Sequence, residues 1–388
     1  MKLTLGIVPL TDCAVLVAAQ EKGFFRRAGL DVTLSAEPSW ANVRDKVAVG
    51  ALDGAQMLAT MPLTSTLGLA GTPEPTITAM GLGLNGNAIT VSRALHDRMV
   101  AALPTLAGDP AQAGAALRAV IRSGHQAQRR RLILASVFPT ATHTYQLRYW
   151  LAAAGIDPVR DVQLVVVPPQ RMAAHLQDGL IDGYCVGEPW NSVSVAAGIG
   201  QTIVTSYEIW NNHPEKVFGV AESWAVAHAG AHQALLQALL QAARWADASE
   251  HREELAGLVA RHIDVPLPIV LASLTGRFHY SADRQVALPD FHVFYRYAAT
   301  FPWRSHATWF LAQMSRWHEL DRDLDADALA RRVYRTDLYR QAAGALGWPC
   351  PAVDSKPEGT HAETWSPEAS ELVLGADRFI DSTRFDAD

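Results

Sequence analysis

Short apolar segments alternate with amphipathic segments through the first part of the chain. Alternating apolar positions predict an opening strand over residues 3–7. A helix is expected next, with Thr11 or Asp12 as its N-cap, and Ser39 is expected to cap a further helix that ends at Gly50. Strands that alternate with helices in this way are typical of a parallel sheet with helices on both faces.

The same alternation continues along the chain and predicts a second α/β unit. Apolar runs predict strands at 87–92, 132–135, 162–167, 183–186 and 200–204. We therefore predict one lobe from residues 1–88 plus 217–300, a second lobe from residues 89–216, and C-terminal helices with a wrapping tail at 301–388. A chain that crosses twice between two lobes forms a hinge, and the cleft between the lobes is a natural ligand site.

The length, net charge and cysteine content of the chain limit the classes of fold and function that it can have. The chain has 388 residues, too many for one ordinary core, which agrees with two lobes. Its net charge of −6 gives no general attraction for nucleic acid, so an anionic ligand must be held by a local arrangement of donors. The three cysteines, Cys13, Cys185 and Cys350, are widely spaced and lack a C-x-x-C pattern. We therefore expect no disulfide framework, no metal site and no cofactor.

The first residues of the chain indicate in which compartment the protein is expected. A secretory signal has a charged start and then an apolar run of about 7–15 residues. Here an alternating strand pattern begins at Leu3 and meets a turn at Pro9. The sequence also lacks an apolar run long enough to span a bilayer. We therefore expect a cytoplasmic protein with no membrane span.

A glycine-rich run at residues 81–86 matches the letters of a dinucleotide fingerprint. That fingerprint requires a helix to follow the glycines, whereas the sequence after Gly86 is typical of a strand. We interpret the run as a flexible bend whose backbone amides line the cleft, because glycine permits close approach of the backbone to a small ligand.

An enzyme is not expected. The sequence contains no G-x-S-x-G elbow, no P-loop and no H-E-x-x-H motif. Asp182, Glu188 and His143 are candidate acid–base residues, but their spacing does not form a catalytic set. The chain is therefore expected to bind its ligand rather than transform it.

Several strings resemble one known family. The most specific are G-E-P-W-N at 187–191 and N-H-P-E-K at 212–216, accompanied by V-P-L-T-D-C-A at 8–14, P-S-W-A-N-V-R-D-K at 38–46 and L-N-G-N-A-I-T at 84–90. Together they resemble the nitrate- and bicarbonate-binding proteins of the NrtA and CmpA type and the cytoplasmic nitrate/nitrite sensor NasS. The resemblance extends over nearly the whole chain.

The resemblance implies an α/β type II periplasmic-binding-protein fold, with two lobes, two crossover segments and an anion buried in a central cleft. Nitrate binders of the family have a histidine and a lysine at the positions of His143 and Lys216, where bicarbonate binders have glutamine and glutamate with an associated calcium ion. Trp40 matches the family's cleft tryptophan, and Asn85 stands where nitrate binders have glutamine, so the resemblance implies that both contact the ligand. The expected ligand is therefore nitrate or nitrite.

Elementary chemistry agrees with this ligand. Nitrate has three acceptor oxygens and no donor, so its site must supply donors. Lys216 supplies charge and donors, and His143 supplies one donor when neutral and two when protonated. Trp40 and the amides of Gly86 and Asn87 are expected to complete the shell. Two further residues are expected around this shell, Gln170 and Glu188; Glu188, which as an acceptor would repel the anion, is expected to hold structure or to orient His143 or Lys216.

The leading hypothesis is a sensor that regulates nitrate assimilation. The resemblance to NasS implies an RNA-binding antiterminator of the ANTAR class, NasT-like, as partner, which ligand-driven closure of the lobes releases. One alternative is the solute-binding component of an ABC uptake system for nitrate, nitrite or bicarbonate. The other is an enzyme of the thiamine-precursor-synthesis type on the same fold.

Overall fold

The first segment of the chain alternates strands and helices. The structure is a computed structural model that describes residues 1–69, 71–104, 109–127, 130–320, 323–367 and 372–386. The elements as far as residue 85 are β1 (Lys2–Ile7), α1 (Ala14–Glu21), α2 (Phe24–Arg27), β2 (Asp31–Ala36), α3 (Trp40–Ala48), β3 (Gly54–Leu58), α4 (Met61–Leu67) and β4 (Thr76–Asn85).

The second segment forms the other lobe. It consists of β5 (Asn87–Ser92), α5 (Arg93–Ala102), α6 (Pro110–Gln126), β6 (Leu132–Ser136), α7 (Thr142–Ala153), β7 (Val162–Val166), α8 (Met172–Gln177), β8 (Gly183–Gly187), α9 (Trp190–Ala196), β9 (Gly200–Thr205) and α10 (Ser206–Ile209). A short 3-10 helix, Pro169–Arg171, precedes α8, and another, Thr11–Cys13, follows β1.

The chain then returns to the first lobe. The elements are β10 (Pro214–Ala221), α11 (Glu222–Ala227), α12 (Ala229–Asp247), α13 (Arg252–Ile263), α14 (Leu267–Leu274), β11 (Arg277–Ser281), β12 (Arg284–Ala287), β13 (His292–Val293), α15 (Arg304–Arg316), α16 (Ala326–Val333) and α17 (Thr336–Ala345), with 3-10 helices at Ser249–His251 and Arg296–Ala298. Within the described ranges, no helix is both long enough and apolar enough to cross a membrane.

Two mixed sheets form the centres of the lobes. The first has the order β13-β4-β10-β3-β1-β2, with β1 parallel to β2 and β3 and with β10 antiparallel to β3 and β4. The second has the order β7-β6-β8-β5-β9, with β6 parallel to β7 and β8 and with β5 antiparallel to β8 and β9. The chain crosses between the sheets from β4 to β5 and again before β10.

The topology explains where a ligand site can lie. Loops at the carboxyl ends of parallel strands are the usual site in open α/β sheets. The 3-10 helix Thr11–Cys13 and the start of α3 follow the carboxyl ends of β1 and β2, and β10 begins at that same edge because it runs antiparallel to β3. In the other lobe α7 follows β6, and β5 begins at the carboxyl end of antiparallel β8. The two edges face each other.

Some local predictions were correct and others were wrong. Ser39 does cap α3, since its Oγ accepts a hydrogen bond from the Asn42 backbone N–H at 3.2 Å. The long helix expected after residue 11 is instead broken at Gly23, whose φ of +72° turns the chain into α2. Neither Thr11 nor Asp12 acts as a helix cap. The hairpin of β11 and β12 and the short strand β13 were not predicted.

The described C-terminal residues 372–386, which we call the C-terminal strap, run over the second crossing between the lobes. The strap and the crossing exchange backbone hydrogen bonds: Asn211 N–H donates to the Arg378 carbonyl at 3.0 Å, and Ile380 N–H donates to the Ile209 carbonyl at 2.9 Å. The Tyr149 hydroxyl of α7 also lies 2.8 Å from Asp381 Oδ1. The strap therefore fixes the segment that leads into β10.

Candidate functional site

Lys216 is the centre of a fully buried polar cluster between the lobes. Its side chain is completely enclosed, and its ammonium lies 2.7 Å from Asp12 Oδ2 and 2.6 Å from Glu215 Oε1. The same ammonium is 5.3 Å from the centre of the Trp40 ring, within the range of a cation–π contact. A lysine ammonium has three N–H donors, so the two carboxylates leave one of them for a further acceptor.

Glu215 connects this ammonium to the second lobe. Its Oε2 accepts a hydrogen bond from Asn87 Nδ2 at 2.6 Å, and its Oε1 accepts one from the Thr142 hydroxyl at 2.7 Å. His143 Nε2 lies 3.5 Å from Oε1, and His213 Nδ1 lies 3.8 Å from Oε2. Groups from β5, α7 and β10 therefore meet at one carboxylate.

The local structure of each segment explains why these side chains lie together. The register pairs Lys216 with Leu58 on one side and with Gly83 on the other, so the start of β10 is held in the middle of its sheet. The Ser39 cap fixes the start of α3 and hence Trp40. Asp12 is held by Gln56, whose Nε2 donates to Asp12 Oδ1 while its Oε1 accepts from the Val8 N–H at 2.9 Å.

Several buried donors around the cluster are not used by the protein. Trp40 Nε1 and the hydroxyls of Thr11 and Thr140 are fully buried and have no hydrogen-bond partner among the described residues. Leaving such groups unpaired costs free energy, and native proteins seldom do so. Of these groups, Trp40 lies beside Lys216, so the indole N–H and the third N–H of the ammonium are two unused donors available to a ligand that has acceptors.

The proton on His143 can be placed from its neighbours. The Thr142 hydroxyl has a single proton and donates it to Glu215, so the 3.2 Å contact between Thr142 Oγ1 and His143 Nδ1 requires Nδ1 to be the donor. In the neutral ring Nε2 then has no proton, and it has no hydrogen-bond partner in the described part of the chain. His143 offers a second donor at Nε2 only when it is protonated.

Burial and charge set the protonation of the cluster. Burial alone raises the pKa of Glu215, but Lys216 and the two histidines outweigh it and lower the pKa to about 2. Burial lowers the pKa of His143 to about 3 and that of His213 to about 4. For Asp12 the burial effect exceeds the attraction of Lys216, so its pKa is raised. Glu215 is therefore the carboxylate that pairs most firmly with Lys216.

The predicted shell is partly assembled. Trp40, His143 and Lys216 do lie together. Asn87 joins them through its side chain, not through its backbone amide, which donates to Ser206 Oγ at 3.2 Å. That amide therefore already has an acceptor inside the protein, and its contact with a ligand stays a prediction.

Asn85 and Gly86 serve the backbone rather than a ligand. Both Asn85 Nδ2 donors are used inside the protein, on the Asp290 carbonyl at 2.7 Å and on Asn212 Oδ1 at 3.2 Å. Gly86 has a φ of +90°, and a Cβ there would lie 2.6 Å from the His292 ring. The preceding glycines belong to β4, so the expected flexible bend is confined to residues 85 and 86.

The two outer residues do not orient the cluster. Gln170 is half-buried in the short helix before α8 and lies outside the hydrogen bonds described above. Glu188 is buried, but its Oε2 accepts from the Ser192 backbone N–H at 3.3 Å rather than from His143 or Lys216. Of the two roles expected of Glu188, this contact at the start of α9 fits the structural one, and Glu215 is the carboxylate that contacts Lys216 and His143.

Sequence reasoning missed two central residues. Asp12 and Glu215 both occur inside the strings that carry the family resemblance, so their positions were visible, but an anion site gave no reason to look for carboxylates. Asp12 had been interpreted as a helix cap because aspartate favours that position. Among the described residues, no three histidine, cysteine or acidic side chains are grouped so as to hold a metal ion.

Two α/β lobes that enclose a buried set of donors at facing sheet edges define a two-lobed ligand-binding protein. A model of the NMT1-like family matches residues 1–260, and the chain belongs to that family. The nitrate import ATP-binding protein NrtC of Synechocystis is 39% identical over 358 residues, which cover 90% of this chain and 51% of NrtC. The bicarbonate transport ATP-binding protein CmpC of Synechococcus elongatus is 38% identical over 351 residues, which cover 89% of this chain and 50% of CmpC.

The chain thus spans about half the length of these two ATP-binding relatives. The crystal structure of the periplasmic nitrate-binding protein NrtA from Synechocystis superimposes with a TM-score of 0.87 at 30% identity and covers 99% of this chain and 95% of NrtA. The resemblance to NrtA-type proteins and the periplasmic-binding-protein fold are therefore confirmed. A particular closeness to the sensor NasS stays a prediction.

Proposed function

We propose that this chain binds nitrate or nitrite at the buried cluster between its lobes. The observation that supports this proposal best is the pair of unused buried donors formed by Trp40 Nε1 and the third N–H of Lys216 beside it. These donors suit a small ligand that has acceptors only. The likeness to a nitrate-binding protein over the full chain supports the same ligand.

Bicarbonate is the second candidate. Asp12 and Glu215 place two carboxylates at the site, and a ligand with an O–H donor has a use for such acceptors. The identity of 38% with a bicarbonate transport protein points the same way. Nitrate and nitrite remain the first choice because the unpaired buried groups next to Lys216 include the indole N–H, which can only donate.

Calorimetric titration of the full chain with nitrate, nitrite and bicarbonate tests the ligand, with Trp40→Phe as the informative variant. Phenylalanine keeps an aromatic ring beside Lys216 but loses the five-membered ring of the indole with its N–H, which has no partner in the described protein. A hydrogen bond to a charged group is worth roughly 1.5–3 kcal/mol, so we expect nitrate affinity to fall by about 10- to 100-fold.

Trp317→Phe is the matched control, because its indole N–H is also unpartnered among the described residues but lies at the end of α15. It should leave the affinity unchanged. Equal losses in both variants, or no heat with any of the three anions, would contradict the proposed site.

For the biological role we propose a sensor of nitrate or nitrite in the cytoplasm, where an RNA-binding antiterminator of the ANTAR class works. The two crossings and the enclosed site support a mechanism in which the lobes close on the anion, and closure alters a partner surface that spans them. Mixing the chain with such an antiterminator should give a complex that nitrate dissociates. Cell fractionation should find the protein in the cytoplasm.

A solute-binding role in ABC transport is the competing proposal, and the likeness to the transport proteins NrtC and NrtA favours it. Co-purification with a permease or its ATP-binding subunit, and no complex with an antiterminator, would decide for transport. In both roles we propose a binding protein and not an enzyme, so nitrate recovered from the complex should be chemically unchanged.

A further inference from the structure

The buried cluster contains more negative than positive charge. Lys216 supplies one ammonium, while Asp12 and Glu215 supply two carboxylates at 2.7 Å and 2.6 Å from it. Lys216, Glu215 and His143 are fully enclosed and Asp12 nearly so. A second buried anion next to this group would be strongly unfavourable, because a low local dielectric strengthens repulsion as much as attraction.

We propose that the site binds its anion together with one proton, and that Asp12 is the group that accepts the proton. This inference rests on the proposed function. The protein with ionised Asp12 takes up one nitrate and one solvent proton and becomes the complex with neutral Asp12. The charge of the buried cluster with its ligand then equals the charge of the cluster alone, and no net charge is added to the interior.

The contacts favour Asp12 over Glu215 as the acceptor. Glu215 accepts hydrogen bonds from three donors, Lys216, Asn87 and Thr142, all of which stabilise its ionised form. Among the described residues, Asp12 has two such partners, the Gln56 amide and the Lys216 ammonium. Neutralising Asp12 leaves Lys216 paired with Glu215 alone, so the excess negative charge is gone, and it converts an acceptor into an O–H donor, which an acceptor-only anion can use.

Other titratable groups surround Asp12 from several elements. His143 and His213 contribute no charge while their imidazoles are neutral, and burial lowers their pKa values to about 3 and about 4. Glu188 lies next to it in the fold, since the Thr11 N–H donates to the Glu188 carbonyl at 2.8 Å. Among the described residues, Lys216 and Glu215 of β10 act on Asp12 directly; the other titratable groups of the cluster are His213 before β10, His143 of α7, Cys185 of β8, Glu188 after β8, and Cys13.

Titration of the full chain with sodium nitrate in buffers of different ionisation enthalpy counts the protons taken up. Nitrate itself stays ionised throughout the neutral range. Between pH 7 and 9 we expect uptake of about one proton for each nitrate and a loss of affinity of about tenfold for each pH unit. In Asp12→Asn the uptake should vanish, the affinity should become independent of pH, and binding at high pH should exceed that of the natural protein.

Asp45→Asn on α3 is the control, because that carboxylate is exposed and outside the cluster, and it should retain the uptake. Nitrate binding without proton uptake in the natural protein would overturn the inference and leave the proposed function intact. Uptake that persists in Asp12→Asn but disappears in His143→Gln would overturn the assignment to Asp12. If neither nitrate nor nitrite binds at any pH, both proposals fail together. Even if Asp12→Asn does not fold, the number of protons that the natural protein takes up with each nitrate tests whether binding is coupled to a proton.

Discussion

The ammonium of Lys216 lies 2.7 Å from the Asp12 carboxylate, and neither group is accessible to solvent to any useful extent. Asp12 comes from the loop after the first strand, while Lys216 comes from the strand by which the chain re-enters the same lobe. Asp12, Lys216 and Glu215 therefore stabilise the fold as well as forming the proposed binding site. A substitution of Lys216 should change both the free energy of unfolding and the affinity for the anion.

The first prediction concerns the stability of this pair. Lys216→Met leaves two buried carboxylates without their cation, and removing one partner of a buried pair typically costs about 3–5 kcal/mol. Urea unfolding should show a loss of that size without ligand. Asp12→Asn combined with Lys216→Met should recover part of it. The control is Lys22→Met, which breaks an exposed pair with Glu254 and should cost no more than about 1 kcal/mol of stability. An equally small loss in Lys216→Met would contradict the buried ion pair.

The second prediction concerns Glu188. Burial raises its pKa to about 7 from its ordinary value of 4.5, so its contribution to stability is full below pH 4.5 and is lost as the pH rises through 7. Glu188→Gln removes that loss. At pH 8 the variant should be more stable by about 3 kcal/mol, and at pH 5 the gain should be much smaller. Unfolding curves at both pH values measure the difference.

Glu254→Gln is the control for Glu188, because its carboxylate is half exposed. It should change stability by no more than about 1 kcal/mol at either pH. A gain at Glu188→Gln that is the same at pH 5 and pH 8 would show that packing, and not the buried charge, is responsible.

The third prediction concerns acid. Burial lowers the pKa values of His143 and His213 to about 3 and about 4 from their ordinary value of 6.5. Each neutral ring therefore contributes stability that is complete above pH 6.5 and is lost as the pH falls toward the lowered value, because the unfolded chain binds the proton first. The free energy of unfolding should fall by up to about 1.4 kcal/mol per pH unit for each ring.

Substitution of either histidine checks this acid dependence. His143→Gln and His213→Gln should each flatten the decline between pH 6.5 and pH 4.5 in urea unfolding experiments. His279→Gln on the β11 strand should leave the slope as it is. A slope unchanged in all three variants would mean that other groups control acid unfolding.

The fourth prediction concerns the C-terminal strap. Phe379 is buried against Trp210, with ring centres 4.8 Å apart, and is stacked on Trp309 at 5.9 Å. Phe379→Ala should cost about 3–5 kcal/mol by creating a cavity. It should also weaken anion binding, because Trp210 belongs to the crossing that leads to Glu215. Phe385→Ala, in the same strap but half-buried, should have the smaller effect on both. If Phe379→Ala leaves the nitrate affinity unchanged, the C-terminal strap does not support the binding site.

The sequence by itself determined the two-lobed architecture and several members of the site. Strand–helix alternation placed the strands of both sheets except β13, and Ser39 could be identified as a cap because capping depends on neighbouring residues only. Trp40, His143 and Lys216 were found through strings of residues that resemble a family.

Only the tertiary structure decided which polar groups meet. Asp12 looked like a helix cap, and Asn85 and the Asn87 amide looked like ligand donors, because local pattern does not show which partners the fold supplies. The register of β10 placed Glu215 where Glu188 had been expected to act, and it brought two carboxylates to one ammonium. Contacts between residues far apart in the chain depend on strand order and register, which a single sequence does not contain.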